Sequence, residues 1–464
     1  MSLAIIRLTP VALLLPLALV WREPFLAEFR PYLLVGLLVL PTTLTVIEIV
    51  VARRSRARRR MPRAMSVVVL AIAALDLSLV IAIEARFQWI RSQVLHAEPD
   101  QLAILGRHIL VGFRNSSELH ELVERRAIAG VFLTSRNVHS LGSSGLEAEV
   151  QALQEIRRRQ RLPKLWIATD QEGGAVSRLS PPLSHLPALS EIVGTHPDPI
   201  ERKAAIRQFA NAQGRELADL GVNLNFAPVV DLNYHVVNPN DHYTRIYQRA
   251  IASDPIIVRD VAGEYCAALL ETGVHCTLKH FPGLGRVHGD THLEAAELAA
   301  SATDLAATDW LPFRTLMEQN TFTMLGHVRL TEIDPDHPVS ISRPVISGLL
   351  RRDWNYNGVL ITDDFGMAAV YRSRGGIEGA AVEAINAGVD LILVSFDPDQ
   401  YYSVMHALLD AYHNGSLRRD VLAQSDQRLD HIQQAMQHGF LGGDRAYADC
   451  CPHRRNASDE RRPQ

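Results

Sequence analysis

Apolar residues dominate the first ninety positions of the chain and form three long runs. These runs are LAIIRLTPVALLLPLALVW from Leu3, PYLLVGLLVLPTTLTVIEIVVA from Pro31 and AMSVVVLAIAALDLSLVIAIEA from Ala64. Each approaches the roughly 20 apolar residues that a helix needs to cross a bilayer. We therefore expect residues 1–90 to form a membrane anchor of three transmembrane helices. Arg7 and two prolines interrupt the first run, and a cleaved signal sequence is its alternative interpretation.

A short basic segment, RRSRARRRMPR, separates the second run from the third. Such segments stay on the cytoplasmic side of the membrane, because clustered positive charge is retained there during insertion. An amino terminus on the inside, followed by three crossings, would place everything after about Arg86 on the outside. The pattern thus predicts a multi-pass protein of the cytoplasmic membrane, with its remaining domain on the periplasmic or extracellular side.

Beyond a connector at residues 91–107, short apolar segments alternate with amphipathic, helix-like stretches. The strand-like segments are HILVGF at His108, GVFLTS at Gly130, LWIATD at Leu165, NLNFAPVVD at Asn223, HCTLKHF at His275, FTMLGHV at Phe322, GVLITDD at Gly358 and DLILVSF at Asp390. This alternation predicts a parallel sheet, and eight repeats predict an α/β fold, a (β/α)₈ TIM-type barrel over residues 108–440. Residues 441–464 are rich in charge and poor in aliphatic side chains, so we expect a disordered tail.

Unusual polar residues follow the predicted strands. They are Asp170, Asp231, Lys279 with His280, His327, and Asp363 with Asp364. In a TIM-type barrel the carboxyl ends of all strands meet on one face, and the reacting groups lie there. Five polar strand ends on one face therefore predict a functional site.

Two sets of residues suggest the chemistry of that site. Neighbouring strand residues point in opposite directions, so one carboxylate of Asp363 and Asp364 can enter the barrel mouth and act as a nucleophile. In the loop KHFPGLGRVHGDTH, Asp290 and His292 lie two residues apart, so the carboxylate can orient the imidazole as a proton donor and acceptor. A carboxylate nucleophile with a separate proton donor is typical of retaining glycoside hydrolysis.

Five segments in matching order strongly resemble the β-N-acetylhexosaminidase branch of glycoside hydrolase family 3. They are ATDQEGGAVSRL at Ala168, NLNFAPVVDL at Asn223, QRAIASDP at Gln248, KHFPGLGRVHGDTH at Lys279 and GVLITDDFGM at Gly358. The resemblance implies a retaining mechanism with Asp363 as nucleophile, His292 as acid/base and Asp290 as its partner. It also implies that the substrate hydroxyls are held by a further set of residues, namely Asp170, Arg249, Lys279 and His280, with Arg178 nearby.

Some positions depart from the family pattern. The family usually has a histidine where this chain has Leu284, and an arginine where it has Ala175. Ala250 and Ile251 replace a small polar and an aromatic residue after Arg249. The expected activity is removal of terminal β-linked N-acetylglucosamine from glycans outside the membrane, such as cell-wall (peptidoglycan) fragments or chitin-like oligosaccharides.

Several alternatives remain open at this stage. A phosphorylase would use phosphate in place of water, because a histidine donor does not repel that anion. A β-glucosidase of the same fold is a further alternative, and a glycan-binding membrane sensor with weak catalysis is another. A metal-dependent hydrolase would need His280, His288, Asp290 and His292 as ligands, but three of these crowd one loop. We expect no metal and no cofactor.

Charge and cysteine content exclude few classes of function. The net charge of -4 implies no general nucleic-acid surface. The four cysteines, Cys266, Cys276, Cys450 and Cys451, are too sparse for a disulfide scaffold, and buried or incidental thiols are favoured. A bridge between Cys266 and Cys276 is possible if the domain faces an oxidising compartment. The expected partners are a carbohydrate substrate and the lipid bilayer.

Overall fold

The amino-terminal region consists of three apolar helices. A computed structural model of the chain describes residues 2–58, 63–318 and 321–439. Helix α1 spans Ser2–Val20, α2 spans Arg30–Arg58 and α3 spans Arg63–Leu95. Within the described residues, two stretches are long and apolar enough to cross a membrane, Arg30–Val50 and Met65–Leu95. At the first of the three predicted spans, the described residues give only a shorter apolar helical stretch, Leu8–Val20, so this span is not confirmed.

Eight parallel strands form a closed barrel, as the alternating pattern predicted. They are β1 Ile109–Val111, β2 Gly130–Leu133, β3 Trp166–Thr169, β4 Leu224–Asn225, β5 His275–Phe281, β6 Phe322–Leu325, β7 Val359–Asp364 and β8 Leu391–Val394. Each strand pairs with its neighbours in sequence, and β1 closes the ring by pairing with β8, Ile109 opposite Ile392. All eight strand segments predicted from the sequence are confirmed. The fold is a TIM-type (β/α)₈ barrel.

Helices surround the barrel, most of them on its outer side. In chain order they are α4 Pro99–Gly106, α5 Ser116–Glu124, α6 Ser135–Arg159, α7 Leu189–Thr195, α8 Pro199–Asp219, α9 Ile246–Arg249, α10 Pro255–Leu270, α11 Ala302–Ala307, α12 Trp310–Leu316, α13 Ala368–Tyr371, α14 Gly376–Ala387, α15 Gln400–Asn414 and α16 Arg419–Gly439, with a π-helical segment at Pro344–Asp353. Several begin at side-chain caps: Asp198 accepts hydrogen bonds from the first turn of α8, and Asp254 does so for α10.

The barrel interior is filled by large side chains rather than open. Phe132 stacks on Phe226 with ring centroids 5.4 Å apart, and Trp166 meets Phe322 edge to face at 5.0 Å. These side chains are buried, and they close the barrel beneath its carboxyl-terminal face. A ligand that reaches the strand ends therefore enters from the mouth of the barrel.

The amino-terminal helices and the barrel are in direct contact. Helix α3 runs past residue 90, through the first part of the predicted connector at 91–107, and its end packs against α15. Cys266 in α10 and Cys276 in β5 form a disulfide, so the favoured interpretation of these two as free thiols is wrong. Spacing alone did not reveal that α10 returns alongside β5. The predicted tail at 441–464, with Cys450 and Cys451, lies outside the described residues.

Candidate active site

The carboxyl ends of the strands surround one cleft of about 340 Å³. Seven of the eight predicted site residues line this cleft, namely Asp170, Arg178, Arg249, Lys279, His280, His292 and Asp363. The eighth, Asp290, is buried directly behind His292. Two other polar strand ends, Asp231 and His327, are also buried and support residues of the cleft from below.

Asp363 and Asp364 at the end of β7 have different surroundings. The Asp364 carboxylate accepts hydrogen bonds from the backbone N–H groups of Gly366, Ser395 and Phe396, and so is held by the loop after β8. The Asp363 carboxylate faces the imidazoles of the cleft. Burial alone would raise the pKa of Asp363, but those imidazoles, His280 first among them, bring it below its ordinary value. Asp363 therefore stays ionised, as a nucleophile must.

His292 and Asp290 form a hydrogen-bonded pair. The Nδ1 atom of His292 lies 2.9 Å from Oδ1 of Asp290, and the His292 backbone N–H donates to the same oxygen at 3.0 Å. The His292 side chain is 34% exposed, whereas Asp290 is 2% exposed. With Nδ1 held by the carboxylate, Nε2 is the ring nitrogen left to exchange a proton with a ligand.

The loop before α9 holds Asp290 in place, and the sequence pattern did not reveal this. Oδ2 of Asp290 accepts hydrogen bonds from the backbone N–H groups of His242 and Tyr243, both at 3.0 Å, and Oδ1 accepts one from the Thr244 hydroxyl. Burial acts to raise the pKa of Asp290, but the bonds from His292 and this loop hold it well below its usual range. The Tyr243 ring also lies 5.4 Å from the His292 ring.

A charged network forms the opposite wall of the cleft. Lys279 Nζ lies 2.7 Å from Asp170 and 2.6 Å from Glu172, and Arg249 donates two hydrogen bonds to Glu172, at 2.6 and 3.0 Å. Burial opposes the charge of Glu172, but the two cations lower its pKa to about 2. Burial likewise opposes the charge of Arg249, yet the Glu172 carboxylate raises its pKa. Glu172 was not predicted, although its position two residues after Asp170 places it on the same side of an extended chain.

Two buried contacts fix the histidines of the cleft floor. Nδ1 of His280 lies 2.7 Å from Asp231, which also accepts the backbone N–H of Leu284 at 2.7 Å. Nε2 of His327 lies 3.1 Å from the Asp364 carbonyl oxygen, so it is the donor, and Nδ1 accepts from the Ser340 hydroxyl. Burial lowers the pKa of His327, which is consistent with a neutral ring. His280 therefore presents Nε2 to the cleft, whereas His327 supports β7.

The side chains of the cleft do not converge on a metal position. Across residues 2–58, 63–318 and 321–439, no three His, Cys, Asp or Glu side chains are grouped to hold an ion. His280 and His292 each use one ring nitrogen on a carboxylate, Asp231 and Asp290 respectively. Of the four residues considered as metal ligands in the sequence, His292 pairs with Asp290, His280 pairs with Asp231, and His288 is exposed on the loop. The arrangement suits nucleophilic attack and proton transfer.

Comparison with known proteins shows the family to which this chain belongs. The family described as "Glycosyl hydrolase family 3 N terminal domain" matches residues 98–432. A protein named "Beta-hexosaminidase" from Nitrosomonas eutropha is 32% identical over 311 residues, which are 66% of this chain and 82% of that protein. One of the same name from Alkalilimnicola ehrlichii is 34% identical over 303 residues, 65% of this chain and 83% of the relative.

Solved structures with a similar fold include enzymes of the same family. A family 3 β-N-acetylglucosaminidase from a Paenibacillus species superposes with a TM-score of 0.65 at 28% identity. That match covers 72% of this chain and 62% of the Paenibacillus chain, so this chain spans under two thirds of it. A β-N-acetylhexosaminidase from Beutenbergia cavernae gives a TM-score of 0.60 at 25% identity, covering 73% of this chain and 99% of the other.

Proposed function

The chain belongs to glycoside hydrolase family 3, and on that premise we propose that it is a retaining exo-β-N-acetylglucosaminidase. One observation carries the proposal: the ionised Asp363 carboxylate shares a cleft with the paired His292 and Asp290. Retaining hydrolysis requires a nucleophile and a separate proton donor. The names of the relatives, "Beta-hexosaminidase" and β-N-acetylglucosaminidase, support the choice of sugar.

In the first step, the Asp363 carboxylate attacks the anomeric carbon and a covalent glycosyl-enzyme forms. His292 gives its proton to the leaving glycosidic oxygen as that bond breaks. Asp290 stays negative because its carboxylate accepts hydrogen bonds from His242, Tyr243 and Thr244. It fixes the His292 ring so that Nε2 faces the cleft. The aglycone then leaves as a neutral alcohol.

In the second step, His292 takes a proton from a water molecule, and the resulting hydroxide attacks the anomeric carbon. The bond to Asp363 breaks and the sugar leaves with its original β configuration, because two inversions have occurred. Lys279, Asp170, Arg249, Arg178 and His280 surround this position and are suited to hold the sugar hydroxyls. Lys279 and Arg249 are themselves held in place by ion pairs with the Asp170 and Glu172 carboxylates.

The proposal is tested by turnover of para-nitrophenyl β-N-acetylglucosaminide and para-nitrophenyl β-glucoside by detergent-solubilised protein. We expect preference for the acetamido sugar, and a loss of about 10²–10⁴-fold in kcat in His292→Ala, the usual contribution of a general acid–base group. His288→Ala is the matched control, because His288 lies on the same loop but is exposed and outside the cleft. Turnover of neither substrate by the wild-type protein would contradict the proposal.

The same reaction distinguishes hydrolysis from phosphorolysis. Product analysis with and without inorganic phosphate should give free N-acetylglucosamine in both cases. A sugar phosphate that appears only with phosphate would instead identify a phosphorylase.

We also propose that α1–α3 anchor the enzyme in the cytoplasmic membrane with the barrel on the outer side. Support comes from the two long apolar stretches and from the arginine-rich segment between α2 and α3, which favours the cytoplasm. The disulfide between Cys266 and Cys276 supports an oxidising compartment.

A further inference from the structure

The segment that joins α1 to α2 forms part of the active-site cleft. We call residues 21–29 the hairpin loop. Phe25 and Glu28 of this loop line the cleft together with His292 and Asp363. The Phe25 ring lies 6.3 Å from the ring of Tyr243, which contacts His292. The proposed mechanism makes no use of either loop residue, although both border the space that a leaving group would occupy.

Charged contacts fix the hairpin loop to the barrel mouth. At its carboxyl-terminal end, Arg30 pairs with Asp397 at 2.6 Å and with Asp399 at 2.5 Å, and the Asp397 side chain is fully buried. At its amino-terminal end, Arg22 pairs with Asp399 at 3.1 Å and with Glu84 of α3 at 2.7 Å. A loop held by several buried and half-buried ion pairs at both ends keeps its position over the cleft.

The outer part of α3 reinforces this docking. The ring of Phe87 lies 6.0 Å from Tyr402, and the ring of Trp89 lies 5.3 Å from His406, both on α15. Helix α15 follows β8, whose end borders the cleft. The side of the barrel that carries the mouth thus packs directly against the amino-terminal helices, and no free linker separates the two in the described part of the chain.

The cleft residue Glu28 is followed within a few residues by the exposed apolar surface of α2. Large apolar side chains are exposed from just after Glu28 onward, namely Phe29, Tyr32, Val35, Val39 and Leu40. Glu28 lies two residues before α2 begins at Arg30, and Tyr32 lies in the first turn of that helix. If α2 crosses a bilayer, the cleft therefore opens at the level of the lipid headgroups on the outer side.

We propose that the substrate is an N-acetylglucosaminide attached to a lipid, and that Phe25 and Glu28 contact its aglycone at the bilayer surface. This inference rests on the proposed function. Phe25 offers an aromatic face to the sugar that bears the scissile oxygen, and Glu28 offers a hydrogen-bond acceptor to its hydroxyls. A freely diffusing glycan needs no cleft at the membrane surface, whereas a lipid-linked one is concentrated there.

The test compares two substrates of the full-length protein in phosphatidylethanolamine–phosphatidylglycerol nanodiscs. One is free N,N′-diacetylchitobiose, and the other is the same disaccharide joined to a hexadecyl chain and embedded in the disc. We expect kcat/KM to be at least about tenfold higher for the embedded substrate. We also expect Phe25→Ala to lower that value by about tenfold, since an aromatic contact of this size corresponds to roughly one order of magnitude.

Controls separate this inference from the proposed function. Phe29→Ala is the matched variant, because Phe29 lies on the same loop, is exposed and does not line the cleft; it should leave both rates unchanged. Glu28→Gln should lower the embedded rate without altering the circular dichroism spectrum. Equal kcat/KM for the free and embedded disaccharides in the wild type would overturn the inference while leaving the N-acetylglucosaminidase activity intact. Absence of turnover of any N-acetylglucosaminide would overturn both.

Discussion

At the scale of residues, the cleft combines the two proposed reacting groups, Asp363 and His292, with buried partners. Asp363 is ionised because imidazoles face it, and His292 is oriented because Asp290 stays negative. Asp290 in turn depends on two backbone N–H groups and the Thr244 hydroxyl. The proton donor is therefore a unit of several residues, and its parts can be tested separately.

The first prediction concerns Asp290. In Asp290→Asn the ring of His292 loses the carboxylate that orients it for proton transfer, so proton donation should slow by about 10²-fold or more. The loss should be large for a phenyl N-acetylglucosaminide and much smaller for the dinitrophenyl analogue, whose leaving group needs no proton. Steady-state kcat for the two substrates measures this difference. Equal losses for both would contradict the assignment of the pair as the acid.

A second prediction concerns Glu172, which is buried between Arg249 and Lys279. Removing one partner of a buried ion pair costs about 3–5 kcal/mol of unfolding free energy, and Glu172→Gln should show a loss of that order in urea unfolding at neutral pH. Glu155→Gln is the control, because Glu155 forms an exposed pair with Arg158 and should give no measurable change. A stable Glu172→Gln protein would contradict the role given to this network.

The pH dependence of this loss follows from the pKa of Glu172, which is lowered to about 2 in the folded protein. Its contribution is fully present above the unfolded carboxyl pKa of about 4.3, and it is lost as the pH falls through about 2. The difference in unfolding free energy between wild type and Glu172→Gln should therefore shrink below about pH 4.

Sequence motifs pointed to the residues that we propose react, which the structure brings into one cleft, but not to all of their hydrogen-bond partners. Asp290 and His292 are neighbours in sequence, so local spacing was enough to suggest their pairing. Thr244 lies 46 residues before Asp290, and the contact depends on how the loop before α9 folds back. The Leu284 side chain is buried, and its backbone N–H rather than its side chain contacts Asp231.

At the scale of elements, the eight strands were predictable because each is a short apolar run followed by polar loop residues. The packing of α10 against β5 was not predictable, and it brings Cys266 and Cys276 close enough to form a disulfide. The disulfide between Cys266 and Cys276 encloses a separation of 10 residues and joins α10 to the strand that carries Lys279 and His280.

The third prediction concerns this disulfide. A bridge over so short a loop stabilises the folded state by about 2–4 kcal/mol, mainly by restricting the unfolded chain. The double variant Cys266→Ala/Cys276→Ala should therefore unfold at a lower urea concentration while retaining kcat at 25 °C, because neither sulfur lines the cleft. Wild-type protein with a thiol reductant should behave like the variant. If reductant leaves the unfolding midpoint unchanged, the bridge is absent in solution.

At the scale of the whole molecule, the anchor and the barrel form one functional unit in this account. Hydropathy predicted the apolar helices, but it could not predict that the hairpin loop packs into the cleft. The loop is held there by the ion pair of Arg30, the first residue of α2, with Asp397; the two are separated by 367 positions, so the contact depends on the folded barrel. The helix that fits a span least well, α1, ends at the same loop.

The fourth prediction concerns membrane topology. Alkaline phosphatase fused after residue 96, beyond α3, should be active, because this enzyme needs the oxidising outer compartment for its disulfides. The same fusion after residue 58, at the end of α2, should be inactive. The reverse pattern would place the barrel in the cytoplasm and would contradict the proposed orientation.

The central claim, that Asp363 is the nucleophile of a retaining N-acetylglucosaminidase, is tested most directly by trapping the intermediate. A fluorinated N-acetylglucosaminyl fluoride, which forms the glycosyl-enzyme faster than water opens it, should add one sugar to the wild-type protein. Peptide mass spectrometry should place that sugar on Asp363, and Asp363→Asn should remain unlabelled. A sugar on any other residue, or turnover of the reagent without a covalent adduct, would contradict the account.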